Sequence, residues 1–363
     1  MKSNSNCTDL TYITRRNISS TAAQAKQIYA MSCAFNHHKR INFKIICKAK
    51  NDDKYPFTLE RLQRSGFIGI IELFVHIVKN KSKKIYTRDI FVAFVATFFW
   101  GQACYEIHDK QKSSLNKLVL KFILLFPKLR IVFISNGLAD HYRNYYKINE
   151  HKFLISHCGV NLDNYLGTYS KKRLRQELGL PLDKKIIMHT GSLYKGGSEF
   201  FNEIIENLAG NEYFVHVGGN KKEIEHITNL NTANEGKFLF TEQVSSDQIA
   251  KFQLSSDALF FISTEKSPIH FFTSPLKIFE YMACKKPIIG CIDGAAGEIL
   301  NESNCLTFSL SDNNSLKRAV NVFQNDASKC KQVSQTAHRQ SKTQYSYDCR
   351  VKNIIGFLNF KYQ

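Results

Sequence analysis

The chain has 363 residues, of which 43% are hydrophobic and 22% charged, a balance that excludes a disordered or fibrous protein and suits two globular domains. Its net charge of +19 is uneven: residues 1–165 hold 26 Lys and Arg against 11 Asp and Glu, or +15, and the rest carries +4. The basic first half predicts an anionic partner such as a phosphorylated acceptor or an acidic membrane, with a generally basic solvated surface as the alternative.

The ten cysteines are scattered, without a CxxC pair or the Cys and His spacing of a zinc site. We therefore expect no metal and no cofactor, and a reducing compartment. The first ten residues lack the apolar stretch of a signal peptide. The longest apolar runs, 90–100 and 118–127, fall short of the ~20 residues that span a bilayer. These features predict a cytoplasmic protein.

Strand-like and helix-like segments alternate along the chain, which predicts two α/β domains with parallel sheets. In the first half we expect strands at Leu10–Ile13, Phe43–Cys47, Lys84–Tyr86, Ala103–Glu106 and Ile131–Ile134, and helices at Ser19–Phe35, Leu59–Val78 and Asp89–Phe99. In the second half we expect strands at Lys185–His189, Tyr213–Val217, Phe238–Thr241, Ala258–Ile262, Pro287–Ile289 and Leu306–Phe308, and helices at Gly197–Leu208, Ser246–Gln253, Pro275–Cys284, Ala296–Leu300 and Ser315–Gln324.

A polar, basic segment after residue 166 marks the seam between the halves. The predicted domains are residues 1–166, which bind the acceptor, and residues 167–345, which bind the donor. Residues 346–363 are expected to form a C-terminal helix that packs back on the first domain.

The most informative segment is TSPLKIFEYMACKKPII, residues 273–289. Thr273 or Ser274 is expected to cap a helix that has Pro275 in its first turn. The start of this helix would offer backbone N–H groups and the positive end of the dipole to a phosphate.

Two charged residues follow in the same helix. Lys277 lies in the first turn, where a cation opposes the dipole, and the arrangement makes more sense if a diphosphate neutralises it. Glu280, one turn on, is placed to accept both ribose hydroxyls of a nucleotide. The alternative is an amphipathic helix whose charged side chains are merely solvated.

Two loops offer further candidates. After the strand at 185–189, Gly191, Ser192, Lys195 and Gly196 form a turn that lets the backbone and a cation approach a phosphate, unless Lys195 is an ordinary surface lysine. The first βα loop contains cations and hydroxyls suited to an acceptor phosphate, unless it is a flexible basic loop. Its candidate acceptor-binding residues are Arg15, Arg16, Asn17 and Ser19.

Segment 273–289 resembles the nucleotide-sugar motif of glycosyltransferase family 4, whose core reads S-P-L-K-x-x-E-Y-x-A-x-x-K-P-I. HCGVNLDNY at 157–165, LGLPLDKKIIMHTGSLYKGG at 178–197 and YTRDIFVAFVATFFWGQACYEIHD at 86–109 also fit, so that the resemblance covers residues 10–350. It implies the GT-B fold, an α/β arrangement of two Rossmann-like domains facing across a cleft. It also implies a retaining transfer of a hexosyl group from a UDP- or GDP-sugar to an acceptor hydroxyl.

The resemblance also assigns residues. It implies that His108 contacts the transferred sugar, unless it is a hydrogen-bonded structural histidine, and that Lys195 contacts the donor diphosphate. Two positions expected at the donor site depart from the family: Ser192 stands where an Arg is frequent, and Phe272 stands where the first Glu of an E-x7-E pattern would fall. His157, Cys158 and Asn161 depart from it in the segment 157–165. The donor-binding set that it implies is Gly191, Ser192, Lys195, Gly196, Thr273, Ser274, Pro275, Leu276, Lys277 and Glu280.

The resemblance favours a lipid-linked saccharide as acceptor, on the cytoplasmic face of a bacterial membrane, in surface polysaccharide synthesis. Lys79, Lys81, Lys83 and Lys84, with the stretch 115–130, could lie on an anionic leaflet, although such a helix more often packs on its sheet. Two rival functions are a nucleotide-sugar epimerase of the same fold and a non-catalytic GT-B scaffold. No nucleic acid is expected, since no RNA-binding motif is present.

Overall fold

The computed structural model describes residues 8–20, 22–79, 84–100, 103–167, 170–191, 198–267 and 269–359. The chain divides into two compact units, Met1–His157 with Tyr347–Gln363, and Cys158–Ser346. The division precedes the predicted seam at residue 166 because the segment after His157 bonds within the second unit. There, the N–H of Val160 donates to the carbonyl of Tyr345 at 2.9 Å.

The first unit is built on a seven-stranded parallel sheet with the order β3-β2-β1-β4-β5-β6-β7. Its strands are β1 (Thr8–Asn17), β2 (Ile41–Lys48), β3 (Thr58–Arg61), β4 (Lys84–Thr87), β5 (Ala103–Ile107), β6 (Arg130–Phe133) and β7 (Phe153–Ile155). The helices between them are α1 (Ala23–His37), α2 (Gly66–Lys79), α3 (Ile90–Trp100), α4 (Ser114–Ile123) and α5 (Asn136–Tyr146).

The second unit has a six-stranded parallel sheet with the order β10-β9-β8-β11-β12-β13. Its strands are β8 (Lys185–Thr190), β9 (Glu212–Val217), β10 (Phe238–Thr241), β11 (Ala258–Phe261), β12 (Ile288–Cys291) and β13 (Leu306–Phe308). Its helices are α6 (Lys171–Glu177), α7 (Glu199–Glu206), α8 (Lys221–Leu230), α9 (Ser246–Ser255), α10 (Leu276–Ala283), α11 (Ser315–Asn325) and α12 (Ala327–Thr343). The last helix, α13 (Tyr347–Asn359), belongs to the first unit.

The order of strands reverses at the same place in both sheets. β1 lies between β2 and β4, and β8 lies between β9 and β11. In open parallel sheets, ligands bind outside the carboxyl ends of the strands at this reversal. The loops that follow β1, β4, β8 and β11 therefore mark where each unit can hold a ligand.

Each unit has its own apolar core. In the first, Val351, Ile354 and Leu358 of α13 join a buried cluster with Ile28 and Phe35 of α1. In the second, the buried rings of Phe214 on β9 and Phe260 on β11 pack against Phe201 of α7. The C-terminal residues thus contribute directly to the core of the N-terminal unit.

The sequence misassigned one segment of the first unit. The predicted helix Leu59–Val78 begins only at Gly66, and residues 58–61 pair in parallel with β2 as the edge strand β3. Lys44 of β2 and Glu60 of β3 form an ion pair at 2.8 Å across the two strands. This cross-strand pairing is a tertiary effect that the local helical pattern of the segment does not reveal. The predicted helix 296–300 is instead a 3₁₀ turn at Gly294–Glu298.

A buried carboxylate ties the last helix to the first sheet. Glu106 of β5 is 1% exposed and accepts from Arg88 Nη2 at 2.9 Å and from Arg350 Nη2 at 3.1 Å. Arg350, on α13, also donates to the carbonyls of His157 at 2.7 Å and Ser156 at 3.2 Å. Burial alone would raise the pKa of Glu106, but Arg350, followed by His108, outweighs it and lowers the pKa to about 2.

We expect Arg350→Met to destabilise the first unit by about 3–5 kcal/mol, because it leaves the Glu106 carboxylate buried with one guanidinium fewer. Urea unfolding, followed by far-UV circular dichroism, measures the change. Arg339→Met, which removes an exposed cation of α12, is the control and should have little effect. The double change Glu106→Gln with Arg350→Met should cost less than the sum of the single changes. Strict additivity would contradict the coupling.

Candidate functional site

In the second unit, two glycines bring the ends of β8 and β9 unusually close together. A Cβ built on Gly218 would lie 2.3 Å from the carbonyl oxygen of Gly191, so no larger residue fits there without a shift. Both have positive φ, +124° at Gly191 and +137° at Gly218, which glycine adopts without strain. The N–H of Gly191 donates to the carbonyl of Val217 at 2.9 Å. The backbone after β8 is thus fixed at the reversal of strand order.

Lys277 reaches this glycine corner from α10. A Cβ on Gly191 would lie 2.7 Å from Lys277 Nζ, so the ammonium group rests directly on the Gly191 backbone. Lys277 Nζ also donates to His189 Nε2 at 3.2 Å. His189 Nδ1 lies 2.8 Å from His216 Nδ1, and His216 Nε2 lies 2.7 Å from the carbonyl of Gly218.

These contacts determine the protonation of both imidazoles. Since the carbonyl of Gly218 can only accept, His216 carries its proton on Nε2, and its Nδ1 accepts from His189. His189 then carries its proton on Nδ1 and offers Nε2 to Lys277. Burial, followed by the charge of Lys277, lowers the pKa of His189 well below its usual range. Burial also lowers the pKa of His216 to about 3, against the raising effect of its bond to Gly218.

The start of α10 differs from the predicted cap. Pro275 is the residue at the cap position, and its own side chain makes no capping hydrogen bond. The hydroxyl of Ser274 instead accepts the N–H of Cys158 at 2.8 Å, and Ser274 is buried. Thr273 lies partly buried beside it. Neither Thr273 nor Ser274 is therefore the cap residue, and the positive end of the helix dipole lies at Pro275 and Leu276.

Glu280 is held one turn along α10. Its Oε2 accepts from Gln253 Nε2 at 3.1 Å, and the same amide group donates to Thr190 Oγ1 at 3.1 Å. The hydroxyl of Tyr165 donates to Gln253 Oε1 at 2.8 Å. The bond to Gln253 thus orients the carboxylate of Glu280. Burial and then Glu280 raise the pKa of Tyr165 well above its usual value.

Three predicted donor-binding residues, Ser192, Lys195 and Gly196, lie outside the described residues, so their roles stay predictions. Gly191, at the start of that loop, is described. The structure brings Gly191 and Lys277 into contact, with Leu276 adjacent to Lys277 at the start of α10. Glu280 reaches the same end of β8 through Gln253 and Thr190.

The loop after β11 contains Phe272, where the family pattern would place a Glu. Two residues earlier, His270 is buried; its Nδ1 lies 3.0 Å from the hydroxyl of Ser263, and among the described residues its Nε2 has no hydrogen-bond partner. Gly294 approaches this ring so closely that a Cβ there would lie 2.5 Å from Nε2. Among the described residues of this loop, the buried ionisable side chain is therefore an imidazole and not a carboxylate.

In the first unit, His108 follows β5 directly and its Nε2 bonds to Glu106. Burial first, and then the charge of Arg88, lowers the pKa of His108 to about 4. Because Arg88 and Arg350 already neutralise Glu106, the ring is neutral and donates its Nε2 proton to the carboxylate. Nδ1 is then left with an acceptor lone pair. Contact between His108 and a sugar stays a prediction.

The candidate acceptor residues do not lie where the sequence predicted. Arg15, Arg16 and Asn17 form the end of strand β1, which runs to Asn17, and are not in the loop that follows it. Their strand continues past the register break between Ile13 and Asn17 because Asn17 still pairs with Lys48 of β2.

Three of these residues have partners in the first unit. Arg15 forms an ion pair with Asp89 and lies over the ring of Phe91. Asn17 Oδ1 accepts the N–H of Ser19 at 2.9 Å. Ser19 Oγ lies 2.9 Å from the hydroxyl of Tyr55. Side chains that already bond within the unit are less available to an acceptor than exposed loop residues would be.

Sequence reasoning missed four residues of the second unit that orient its charged side chains: His189, His216, Gln253 and Tyr165. One signal was available for the histidines. KIIMHT and EYFVHV both carry His as the residue before the last of the strand, and His189 and His216 pair in register. Gln253 and Tyr165 leave no comparable signal, because their contacts join distant segments.

Together these groups can bind an anion and a pair of hydroxyls. Lys277 supplies a cation beside the N-terminal end of α10, which is a favourable place for phosphate oxygens. Glu280 supplies oriented acceptor oxygens one turn away. Among the described residues, no three His, Cys, Asp or Glu side chains cluster so as to hold a metal ion.

Comparison with known proteins shows what the second unit is similar to. Residues 184–326 match the family described as glycosyl transferases group 1. The chain is also 24% identical over 171 residues to TuaC of Bacillus subtilis, assigned as a teichuronic acid biosynthesis glycosyltransferase. That match spans 46% of this chain and 40% of TuaC. The resemblance to group 1 glycosyltransferases is thus confirmed, while family 4 in particular stays a prediction.

Solved structures show the fold of the whole chain. A glycosyltransferase from Rickettsia africae superposes with a TM-score of 0.76 at 18% identity, covering 97% of this chain and 98% of that one. HepE of Anabaena, in complex with UDP and glucose, superposes with a TM-score of 0.71 at 17% identity, covering 97% and 99%. The predicted GT-B fold is confirmed by these likenesses.

The depressed pKa values of His108, His189 and His216 predict a pH-dependent stability. The unfolded chain takes up protons below about pH 6.5, whereas the folded rings stay neutral, so stability is fully present above pH 6.5 and falls as pH decreases towards 4. We expect each histidine to remove about 1.4 kcal/mol per pH unit in this range. Urea unfolding at pH 7, 6 and 5 measures the loss. Equal stability at pH 7 and 5 would show that the rings titrate normally.

Proposed function

We propose that this chain, whose residues 184–326 belong to the group 1 glycosyl transferases, is a glycosyltransferase that moves a sugar from a nucleotide-sugar donor to an acceptor hydroxyl. The donor is a UDP- or GDP-sugar, the transferred group is of the hexosyl type, and its anomeric configuration is retained. The second unit holds the donor. Binding of UDP and glucose by HepE, which shares this fold, supports a nucleotide-sugar as the donor.

The observation that carries the proposal is the position of Lys277. Its ammonium group lies against Gly191 and beside the N-terminal end of α10, so a cation and the positive end of the helix dipole converge on one place. The diphosphate is the negatively charged part of a nucleotide-sugar, and a region of positive potential stabilises it. During transfer the bond between sugar and diphosphate breaks, and negative charge grows on the leaving oxygen, which a fixed cation stabilises.

Stabilisation of the leaving group is proposed to come from these protein groups, without a metal or cofactor. Lys277 and the backbone N–H groups of α10 are the described contributors, and Lys195 is the predicted one. Lys277 is well suited because the neutral His189 orients it without cancelling its charge. Glu280 is proposed to bind the ribose hydroxyls.

The acceptor is proposed to be a lipid-linked saccharide at the cytoplasmic face of a bacterial membrane, with the protein bound peripherally there. TuaC, assigned to teichuronic acid biosynthesis, supports a role in surface polysaccharides. Lys84, one of the lysines expected on the membrane, donates instead to the carbonyl of Leu358 at 3.1 Å. Lys84 is therefore bound to α13 of its own unit. Lys81 and Lys83 lie outside the described residues.

A panel of UDP- and GDP-sugars tests the activity against its rivals. We expect nucleotide diphosphate release to depend on an added lipid-linked or saccharide acceptor, with the product retaining the anomeric configuration by NMR. Conversion of one nucleotide-sugar into another without acceptor would show an epimerase. Absence of a thermal shift with every nucleotide tested would favour a non-catalytic scaffold.

We expect Glu280→Gln to weaken binding of the nucleotide by about 1.5–3 kcal/mol, since it removes a charge-assisted hydrogen bond to the ribose. Isothermal titration with UDP and GDP measures the loss. Glu177→Gln, an exposed carboxylate of α6 in the same unit, is the matched control and should bind like the parent. Unchanged affinity in a folded Glu280→Gln variant would reject the ribose role.

A further inference from the structure

Three consecutive helices of the first unit expose apolar side chains to solvent. α3 has no charged residue along its whole length, and Phe98 near its end is 57% exposed. On α4, Leu118 is 64% exposed, and Leu125 in the turn after the helix is 75% exposed. We call this surface the α2–α4 face. It is defined by Ile71, Phe74, Phe98, Phe99, Leu118 and Phe122.

The α2–α4 face is continuous. α2 packs on α3, and α3 packs on α4. The rings of Phe74 and Phe99 join the first pair of helices with centroids 5.4 Å apart. Phe94 and Phe122 join the second pair at 5.8 Å. These aromatic side chains thus form one surface across three helices, unlike the singly scattered apolar residues that are normal on a protein surface.

The charges around this face are almost all positive. Lys79 ends α2, and Lys117 and Lys121 lie exposed on α4 among its apolar side chains. The acidic residue of these three helices is Glu72, which already accepts the N–H groups of Gln63 at 3.0 Å and Arg64 at 2.8 Å. An occupant of the face must therefore offer an apolar interior and a negatively charged border.

An anionic bilayer offers both at once. Its acyl chains take up aromatic and aliphatic side chains to a depth of ~5–10 Å, and its headgroups attract each nearby cation by about 1 kcal/mol. The 11 residues of α3 extend about 16 Å, roughly half the ~30 Å apolar thickness of a bilayer. In the described part of the chain no helix is long and apolar enough to cross a membrane. The helices suit the interface, where they would lie along the surface.

We propose that the α2–α4 face is the membrane-docking surface of the protein and that its occupant is the anionic leaflet of a lipid bilayer. Apolar side chains insert, and Lys79, Lys117 and Lys121 contact headgroup phosphates. The proposal rests on the proposed function in one respect: a lipid-linked acceptor would be reached at the membrane surface. Docking itself needs neither donor nor turnover, so the two can fail separately.

Vesicle flotation with the full chain tests the proposal, using equimolar phosphatidylglycerol and phosphatidylcholine or phosphatidylcholine alone. The test variant is Phe98→Ser with Leu118→Ser and Leu125→Ser, three highly exposed positions whose loss costs little packing. The matched control is Leu166→Ser with Leu182→Ser and Leu230→Ser, three exposed leucines of the second unit. UDP thermal shifts and circular dichroism confirm that each variant is folded and report donor binding independently.

We expect the parent and the control to bind acidic vesicles within twofold of each other, and the face variant to bind at least tenfold less. Lys117→Glu with Lys121→Glu should also reduce binding and weaken its dependence on salt, since screening at 1 M leaves a range of only ~3 Å.

Equal binding by parent and face variant would overturn the proposal, as would absence of vesicle binding by the parent. Light scattering shows whether the parent is a dimer and whether the face variant is a monomer. A parent dimer that is lost in the face variant, with no vesicle binding by the parent, would identify a second copy as the occupant. Vesicle binding without any nucleotide shift would leave docking intact and reject the proposed transferase.

Discussion

The second unit depends on a lysine that is paired with a neutral partner. An ammonium group on a buried site usually binds a carboxylate, which would cancel its charge. Lys277 instead donates to His189, whose ring is kept neutral by burial and by the charge of Lys277 itself, and is oriented by its bond to His216. This series of hydrogen bonds ends at the carbonyl of Gly218, which can only accept. Each imidazole proton in the series therefore has one position. The contact with His189 therefore holds the ammonium group of Lys277 in place without cancelling its charge.

In the first unit the central buried charge, that of Glu106, is neutralised by its partners. Glu106 has guanidinium partners from Arg88 and Arg350 and a hydrogen bond from His108. This network joins α13, the last helix of the chain, to a strand formed almost 250 residues earlier. The network therefore holds the C-terminal helix α13 in the first unit, with the N-terminal residues. Glu106 is consequently a structural carboxylate, and His108 is the member of the network nearest to the end of β5 that retains an acceptor nitrogen.

The sequence predicted most strands and the second-unit helices around the motif because their apolar patterns are local. It also placed Lys277 and Glu280 on one helix. It could not show that Ser274 bonds to Cys158, that His189 supports Lys277, or that Arg15 pairs with Asp89, since each contact joins segments far apart in the chain. β3 was missed for the same reason: an edge strand is defined by its neighbour, here β2, and four residues carry little pattern.

The two departures from the family pattern at Ser192 and Phe272 have opposite effects on charge. Ser192 removes a cation and Phe272 removes a carboxylate, so the site loses one charge of each sign and its net charge is unchanged. The charged groups that remain on α10, Lys277 and Glu280, are each oriented by a neutral residue, His189 and Gln253. The proposed contacts to a diphosphate and a ribose therefore use fewer charged side chains than the family pattern supplies. In place of the missing carboxylate, the loop after β11 holds the buried imidazole of His270, with a ring nitrogen that no described residue satisfies.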